Sequence, residues 1–268
     1  MNQNKNKKFN LTLNEKEEIA NLSNPKEKLI KLFKIIKNKS WIRFERKQEN
    51  ADGLLGNVFE DLIGIEENNK SEADYFDYEI KTKNLTSDAL VSLFGCTIKS
   101  FPNANTEIRQ KYGVPDENHP ENKIFNTTVK YSKWNTHRGG HNFKLEKTDN
   151  LYLRIKKQGE QITIDDNRYY WDENEIIQKF IKIKNCCLIE GEIDKKNKLA
   201  RYTKMIVFRN ADIDKFWALL KSDDIVIDFR IGVHLSGKRK GKTHDHGTGF
   251  RIKKNKFTSL YRDVEEIE

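Results

Sequence analysis

Apolar residues recur at helical spacing in the first part of the chain. Asn24 can cap a helix that begins at Pro25, a residue suited to the first helical turn. The apolar positions that follow share one face of this helix: Leu29, Leu32, Phe33 and Ile36. A second helix is predicted over residues 54–63, with Gly64 at its carboxyl end. Residues 1–23 are polar and weakly patterned, which predicts a loosely attached arm.

Branched and aromatic residues cluster in short runs that predict β-strands. These runs span residues 74–82, 127–131, 151–155, 186–193, 201–208, 225–234 and 250–252. Further helical patterns lie among them at 175–183 and 212–220. Prolines predict a long, loop-rich stretch between residues 101 and 125. Because helices and strands are interspersed and no internal repeat is found, we expect a mixed α/β (α+β) fold in two lobes.

The composition narrows the class of protein. Apolar residues make up 36% of the chain and charged residues 34%, and no run approaches the about 20 apolar residues that a membrane span needs. The amino-terminal residues are polar and basic, unlike a secretory signal, so we expect a bacterial, cytoplasmic protein. The cysteines, Cys96, Cys186 and Cys187, are odd in number and form no CxxC pair. This pattern favours buried thiols over disulfides or structural zinc.

The net charge of +9 comes from 50 basic and 41 acidic residues. Residues 237–256 concentrate this charge, with eight basic residues against the single acid Asp245. A basic segment that contains glycines and histidines is typical of a loop that contacts nucleic-acid phosphates. Two other interpretations stay open, since an AT-rich genome enriches lysine without functional demand and a charge run is often only a solvated face.

The candidate chemistry lies in the segment DYFDYEIKT at residues 74–82. In a strand, residues two apart point to the same face, so Glu79 and Lys81 would share one face and Tyr78 and Ile80 the other. Asp74 would lie beside Glu79 and Lys81 if residues 76 and 77 form a tight turn. Two carboxylates that hold Mg²⁺ beside a lysine are suited to phosphodiester hydrolysis, because the metal activates water and offsets phosphate charge.

This triplet is weak evidence by itself. The Glu-x-Lys or Asp-x-Lys pattern also occurs at residues 45–47, 121–123 and 194–196, and Asp116 precedes Glu121 by the same interval that separates Asp74 from Glu79. The second copy lies between prolines, which indicates a loop. A surface hairpin with solvated charges remains an alternative for residues 74–82.

The chain resembles the MvaI/BcnI group of restriction endonucleases, relatives of the mismatch-repair nickase MutH. The resemblance runs in order through the motifs GLLGNVFEDLIGIEENN (53–69), Asp74 with EIKT (79–82), SLF (92–94), KYG (111–113), IDFR (227–230) and HDHGTGFRI (244–252). It therefore covers about residues 25–260. It implies a restriction-endonuclease-like PD-(D/E)XK catalytic lobe at 24–150 and a carboxyl-terminal DNA-recognition lobe at 151–268, which together form a clamp.

The resemblance also implies roles for individual residues. Asp74 and Glu79 would bind Mg²⁺, Lys81 would assist the attacking water, and Glu60 would be an auxiliary acid. Base reading is implied for Asn84, Asp228, Arg230, His234, His244 and Arg251. Phosphate contacts are expected from Lys238, Arg239, Lys240, Lys242 and His246. Arginine suits guanine and aspartate suits cytosine, so these residues favour a site rich in C and G.

The implied activity is that of a type II restriction endonuclease. Such an enzyme would act as a monomer on double-stranded DNA at a CC-N-GG-like site, with a cognate cytosine methyltransferase in the same genetic system. The central base pair stays open. Two alternatives also stay open: a MutH-like strand nickase in DNA repair, and a non-catalytic DNA-binding relative.

Overall fold

A computed structural model describes residues 10–45, 53–64, 73–84, 89–164 and 167–267 of the chain. Within these ranges no helix is long and apolar enough to cross a membrane. Parts of the predicted amino-terminal arm and of the motif at residues 53–69 lie outside them.

The chain forms two compact units, and both are discontinuous in sequence. The first unit comprises Met1–Asp88, Lys182–Ala211 and Tyr261–Glu268, and the second comprises Ala89–Ile181 and Asp212–Leu260. The boundary expected near residue 150 falls inside the second unit.

The helices of the described ranges are α1 (Leu13–Ala20), α2 (Pro25–Asn38), α3 (Leu54–Ile63), α4 (Ala104–Tyr112), α5 (Glu173–Ile181) and α6 (Ile213–Lys221). The Asn24 side chain accepts a hydrogen bond from the Lys26 amide at 2.9 Å, as expected for the cap of α2. Gly64 ends α3 in the left-handed conformation. α1 lies within the segment predicted as a polar arm, and its Thr12–Glu15 capping box is the sequence signal that indicates a helix there.

The strands are β1 (Ile42–Arg43), β2 (Glu79–Asn84), β3 (Val91–Gly95), β4 (Val114–Pro115), β5 (Lys123–Val129), β6 (His141–Lys147), β7 (Leu151–Lys157), β8 (Thr163–Ile164), β9 (Tyr170–Trp171), β10 (Cys186–Asp194), β11 (Leu199–Ala211), β12 (Ile225–Val233), β13 (Thr243–Asp245), β14 (Gly249–Ile252) and β15 (Tyr261–Ile267). Short 3-10 helices lie at Gly237–Arg239, Lys254–Lys256 and Thr258–Leu260. The predicted mixed α/β fold is confirmed.

One sheet organises the first unit, in the order β1-β11-β10-β2 with β15 also paired to β11. β10 runs parallel to β2, with Cys186 opposite Glu79, and antiparallel to β11. Helices α2 and α3 pack on this sheet. The apolar faces of these elements form a continuous core that includes Phe33, Phe59, Ile189 and Tyr202, each with no exposed surface.

The second unit contains two sheets. One has the order β3-β14-β12-β5-β4 with β13 paired to β12, and the other has the order β6-β7-β8 with β9 paired to β7. Aromatic rings fill its interior: Phe125 contacts Phe143 and Phe229, and Trp171 contacts Phe229 and Phe250. β12 is paired on both sides, and most of its side chains are buried.

The stretch of residues 101–125 that was predicted to be rich in loops contains the helix α4, which was not predicted. Only Ala104, Ile108 and Tyr112 form the apolar stripe of α4, so the helical pattern is narrow. Arg109 completes the buried face, and its guanidinium donates to the Thr243 hydroxyl and the Lys123 carbonyl. A buried arginine is hidden from a search for apolar periodicity, which explains the missed helix.

Candidate active site

A tight turn precedes β2 and returns Asp74 to the strand. The backbone amides and carbonyls of Tyr75 and Tyr78 exchange hydrogen bonds of 3.0 and 2.9 Å, and Phe76 between them has a φ of 53°. The amide of Ile80 donates to Asp74 Oδ2 at 2.9 Å. The expected turn at residues 76 and 77 is therefore present, and it places the Asp74 carboxylate beside the first residues of β2.

The alternation expected for β2 is also observed. Tyr78 and Ile80 are buried in the core of the first unit. Glu79 and Lys81 share the other face, where Lys81 Nζ donates to Glu79 Oε1 at 2.5 Å. Asp74, Glu79 and Lys81 are thus brought together at one place.

Lys182 is a fourth charged residue of this cluster and was not predicted. Its Nζ lies 3.2 Å from Glu79 Oε2 and 3.8 Å from Asp74 Oδ1. Shortly after Lys182 the chain enters β10, which pairs in parallel with β2. Just before β10, the Asn185 carbonyl accepts a hydrogen bond from the Glu79 amide at 3.0 Å. Nothing in the local sequence distinguishes Lys182 from neighbouring lysines, because its position depends on this long-range pairing.

Burial and charge shape the electrostatics of the cluster. Burial opposes the charged form of the Lys81 ammonium, but the charge and hydrogen bond of Glu79 outweigh it, so the pKa of Lys81 is raised. Lys81 is therefore an ammonium at neutral pH. Burial raises the pKa of the neighbouring Cys186 thiol to about 12, so Cys186 is a neutral packing residue.

The two carboxylates fit a divalent metal ion. Glu79 is only 5% exposed, and its Oε2 is buried without a hydrogen-bond partner. Such an oxygen is costly unless a cation or donor satisfies it. Within the described ranges no group of three or more His, Cys, Asp or Glu side chains could hold a metal, so an ion here would bind two carboxylates and keep several waters, as Mg²⁺ prefers.

The two remaining predicted residues of the first unit lie on neighbouring elements. Glu60 is on α3, which packs against β2. The pKa of Tyr202 is raised mainly by burial, and the charge of Glu60 makes a smaller contribution in the same direction. Asn84 is the last residue of β2, opposite Gly191. Neither contact tests a role for these side chains, so the roles stay predictions.

The rival copy of the motif does not form a cluster. Asp116 Oδ1 accepts from the amides of Asn118 and His119, closing a local turn. The Glu121 side chain is 68% exposed. Lys123 Nζ donates to the Gln110 carbonyl. Of the two other copies of the pattern, the one at residues 45–47 extends beyond the described residues. In the copy at 194–196, the Asp194 carboxylate accepts from the Asn197 amide and closes a local turn.

In the second unit, Asp228 organises two of the predicted base-reading arginines. Asp228 Oδ2 lies 3.0 Å from Arg230 Nε and 3.2 Å from Arg251 Nε, and Asp228 Oδ1 accepts from the Thr128 hydroxyl at 3.0 Å. Asp228 and Arg230 lie on β12, and Arg251 lies on the neighbouring strand β14. The Asp228 carboxylate is therefore occupied by side chains of the protein itself, which favours a positioning role over direct base contact.

Three predicted histidines lie close together at the adjoining β12–β13 hairpin, and two of them, His234 and His244, are stacked. The His234 and His244 rings lie 4.0 Å apart and nearly parallel, and the His246 ring lies 4.0 Å from that of His244. Burial and the neighbouring His244 lower the pKa of both His234 and His246 below the usual 6.5, so these rings are neutral at pH 7.

The basic residues predicted to contact phosphate lie between the hairpin strands. Lys238, Arg239, Lys240 and Lys242 are exposed on a turn whose glycines, Gly237 and Gly241, have φ values of 72° and 78°. Both glycines adopt the left-handed region that other residues disfavour, and this lets the turn close tightly. The four cations are accessible to a polyanion.

The fold of the chain is similar to that of proteins of known structure. Over 92% of its length the chain is 30% identical to the restriction endonuclease MvaI in a solved complex with its cognate DNA substrate, with a TM-score of 0.80 and all of that chain covered. MvaI solved in the absence of DNA matches at the same identity with a TM-score of 0.57, covering 92% of this chain and 99% of the other. A search of curated protein sequences finds no match. The sequence profile of one family matches residues 30–261, so the chain belongs to the MvaI/BcnI restriction endonuclease family and is a site-specific deoxyribonuclease.

Proposed function

We propose that this protein is a Mg²⁺-dependent type II restriction endonuclease that hydrolyses double-stranded DNA at a CC-N-GG-like site. The observation that carries the proposal is the side-by-side placement of Asp74, Glu79 and Lys81 by the 75–78 turn and β2. The rival motif at residues 116–123 offers no such cluster.

Asp74 and Glu79 would hold Mg²⁺, and one oxygen of each carboxylate already accepts a hydrogen bond, from the Ile80 amide and from Lys81. When bound, Mg²⁺ supplies Lewis-acid chemistry: it lowers the pKa of water and offsets the phosphate charge. The Lys81 ammonium is fixed beside Glu79 and can hydrogen-bond the attacking water or a phosphate oxygen. Glu60 is proposed as an auxiliary acid of the site.

Sequence would be read by the second unit. Arg230 and Arg251 can each present two donors to guanine, and their common partner Asp228 holds both side chains in one place. His234, His244 and Asn84 are further base-reading candidates. The exposed cations of residues 238–242, with His246, would contact the phosphate backbone and contribute a salt-dependent share of affinity.

A monomeric state and a partner methyltransferase are also part of the proposed function. We infer a monomer that cuts the two strands in turn, because a site with an odd centre is not perfectly two-fold. A cognate cytosine methyltransferase in the same bacterial cytoplasm would protect the host DNA.

The test is digestion of plasmid DNA with purified protein and Mg²⁺, followed by sequencing of the ends. The matched variants are Glu79→Gln and Glu121→Gln, which make the same chemical change at the two copies of the motif. Discrete fragments with ends at CC-N-GG sites, lost only in Glu79→Gln, are expected, and the ends name the central base. Loss of cutting only in Glu121→Gln would overturn the assignment of the active site.

Two other outcomes would change the function. Nicked circles that never become linear, even with excess enzyme, would favour a strand nickase. Binding of DNA without any cutting at any Mg²⁺ concentration would favour a non-catalytic relative.

A further inference from the structure

Lys182 contacts both of the carboxylates that are proposed to hold a divalent cation. Each carboxylate of the cluster has one oxygen engaged by a hydrogen bond, from the Ile80 amide to Asp74 Oδ2 and from Lys81 to Glu79 Oε1. The Lys182 ammonium faces the other oxygen of each, at 3.8 Å from Asp74 Oδ1 and 3.2 Å from Glu79 Oε2. It therefore faces the carboxylates of both residues that are proposed to hold the metal ion.

The contact of Lys182 is an ion pair rather than a well-formed hydrogen bond. Glu79 Oε2 is buried, and it accepts no hydrogen bond despite the nearby ammonium. Lys182 itself is about a quarter exposed, whereas Glu79 is almost fully buried. A lysine held by charge alone at the edge of the cluster can swing away on its flexible stem, but the carboxylate cannot.

The charges of the cluster balance without metal, since two carboxylates face two ammonium groups, Lys81 and Lys182. A divalent ion held by the same two carboxylates would lie close to the Lys182 ammonium, whose Nζ is 3.8 Å from Asp74 Oδ1 and 3.2 Å from Glu79 Oε2. Like charges that are close together in a partly buried site repel strongly. The metal and the ammonium therefore exclude one another.

We propose that Lys182 is a resident cation that neutralises Asp74 and Glu79 in the metal-free protein and competes with the divalent metal for them. The proposal rests on the assignment of Asp74 and Glu79 as metal ligands. Binding of metal displaces the ammonium, which then lies at the edge of the site where it can pair with a DNA phosphate oxygen. The competition keeps metal affinity low while DNA is absent.

The test is titration of Ca²⁺ into DNA-free protein by isothermal titration calorimetry. Lys182→Met keeps the length of the side chain and removes its charge, and it is expected to bind Ca²⁺ about 10-fold more tightly than the unaltered protein. Lys184→Met is the matched control, because Lys184 is exposed in the same segment, and it should leave the affinity unchanged. Unchanged or weaker binding in Lys182→Met would overturn the proposal.

A second readout is thermal unfolding with EDTA and with Ca²⁺. Without metal, Lys182→Met leaves two carboxylates facing one ammonium, so its Tm should fall, and Ca²⁺ should raise the Tm more than in the unaltered protein. Lys182→Arg retains the charge and should keep the affinity of the unaltered protein, so a gain of affinity in Lys182→Arg as well would contradict the proposal. Should Lys182→Met not fold, Lys182→Gln replaces it in both measurements.

Glu79→Gln separates this proposal from the assignment of the site. Loss of Ca²⁺ binding in Glu79→Gln with no effect of Lys182→Met would reject only the competition. Retention of Ca²⁺ binding in Glu79→Gln would reject the metal site and with it the proposed function.

Discussion

The backbone amide of Ile80 donates a hydrogen bond to Asp74 Oδ2 at 2.9 Å, and this bond fixes the Asp74 carboxylate beside the first residues of β2. Ile80 is buried in the core, so its amide has a fixed position. The same carboxylate thus does two things: one oxygen closes the turn and the other faces the site proposed for metal. Substitutions of Asp74 can therefore test the hydrogen bond to Ile80 and the proposed metal contact separately.

Asp74→Asn should abolish cleavage while it preserves the fold. The amide oxygen of asparagine can still accept from Ile80, but the charge that would bind metal is lost, so cleavage should fall by about 100-fold or more. Asp74→Ala loses the acceptor as well and should be less stable than Asp74→Asn by about 1–2 kcal/mol. Plasmid cleavage and urea denaturation measure the two effects. Equal stability of the two variants would mean that the bond to Ile80 contributes nothing.

Gly56→Ala should loosen the contact of α3 with β2. A Cβ at Gly56 would lie 2.8 Å from the Thr82 hydroxyl. Alanine favours the helix by about 1 kcal/mol over glycine, but crowding in a packed interface costs about 1–3 kcal/mol. We expect net destabilisation in Gly56→Ala and recovery in Gly56→Ala/Thr82→Ala, measured as a double-mutant cycle by urea denaturation. Additive effects of the two substitutions would contradict this contact.

The sequence predicted the local features of the active site because they depend on neighbouring residues. The 75–78 turn, the alternation of Glu79 and Ile80, and the helix over 54–63 all follow from short patterns. Lys182 could not be predicted, since its contact with Glu79 requires β10 to pair in parallel with β2 across about a hundred residues of chain.

The division of the chain into two units also depends on pairing between distant segments, so local sequence patterns do not predict it. β2, β10, β11 and β15 come from three separate segments of the chain and meet in one sheet. A boundary drawn as a single cut along the sequence, such as the one expected near residue 150, cannot describe a unit built by strand pairing between distant segments. The resemblance to a family predicted roles for individual residues but carried no information on this pairing.

Glu107 should stabilise the second unit in a pH-dependent way. Two hydrogen bonds from the Arg168 guanidinium, of 2.8 and 2.7 Å, lower the pKa of the Glu107 carboxyl, helped by the Tyr169 hydroxyl and Lys111. A carboxyl whose pKa is lower in the folded state contributes stability above its unfolded value of 4.5, and loses it as the pH falls through the folded value. Glu107→Gln should therefore destabilise the protein at pH 7 by about 1 kcal/mol, because the pair is partly solvated.

The measurement for Glu107 is thermal unfolding of both proteins from pH 7 to pH 3. The difference in Tm between them should shrink as the pH falls below 4.5. Glu117→Gln is the control, since the Glu117–Arg138 pair is exposed on both sides and should show no difference at any pH. A Tm difference for Glu107→Gln that is constant with pH would show that the effect is steric rather than ionic.

Asp228→Asn should reduce the selectivity of DNA binding rather than its strength on random DNA. The carboxylate pairs with Arg230 and Arg251, so its loss releases two guanidinium groups from a defined position. Each bidentate contact with guanine provides about 1–3 kcal/mol of discrimination. Loss of the Asp228 negative charge would at the same time increase attraction to any phosphate backbone.

The expected result for Asp228→Asn is a fall of about 10-fold or more in the ratio of cognate to random-duplex affinity, with random-duplex affinity equal or higher and a steeper dependence on salt. Fluorescence anisotropy over a salt series measures all three quantities, on a Glu79→Gln background that prevents cleavage. Asp214→Asn on α6 makes the same change of net charge at an exposed position and should leave the ratio unaltered. If Asp228 instead contacts cytosine directly, its loss should relax selectivity at the cytosine positions alone. If it positions the arginines, as the ion pairs indicate, selectivity should fall at the guanine positions that Arg230 and Arg251 would read.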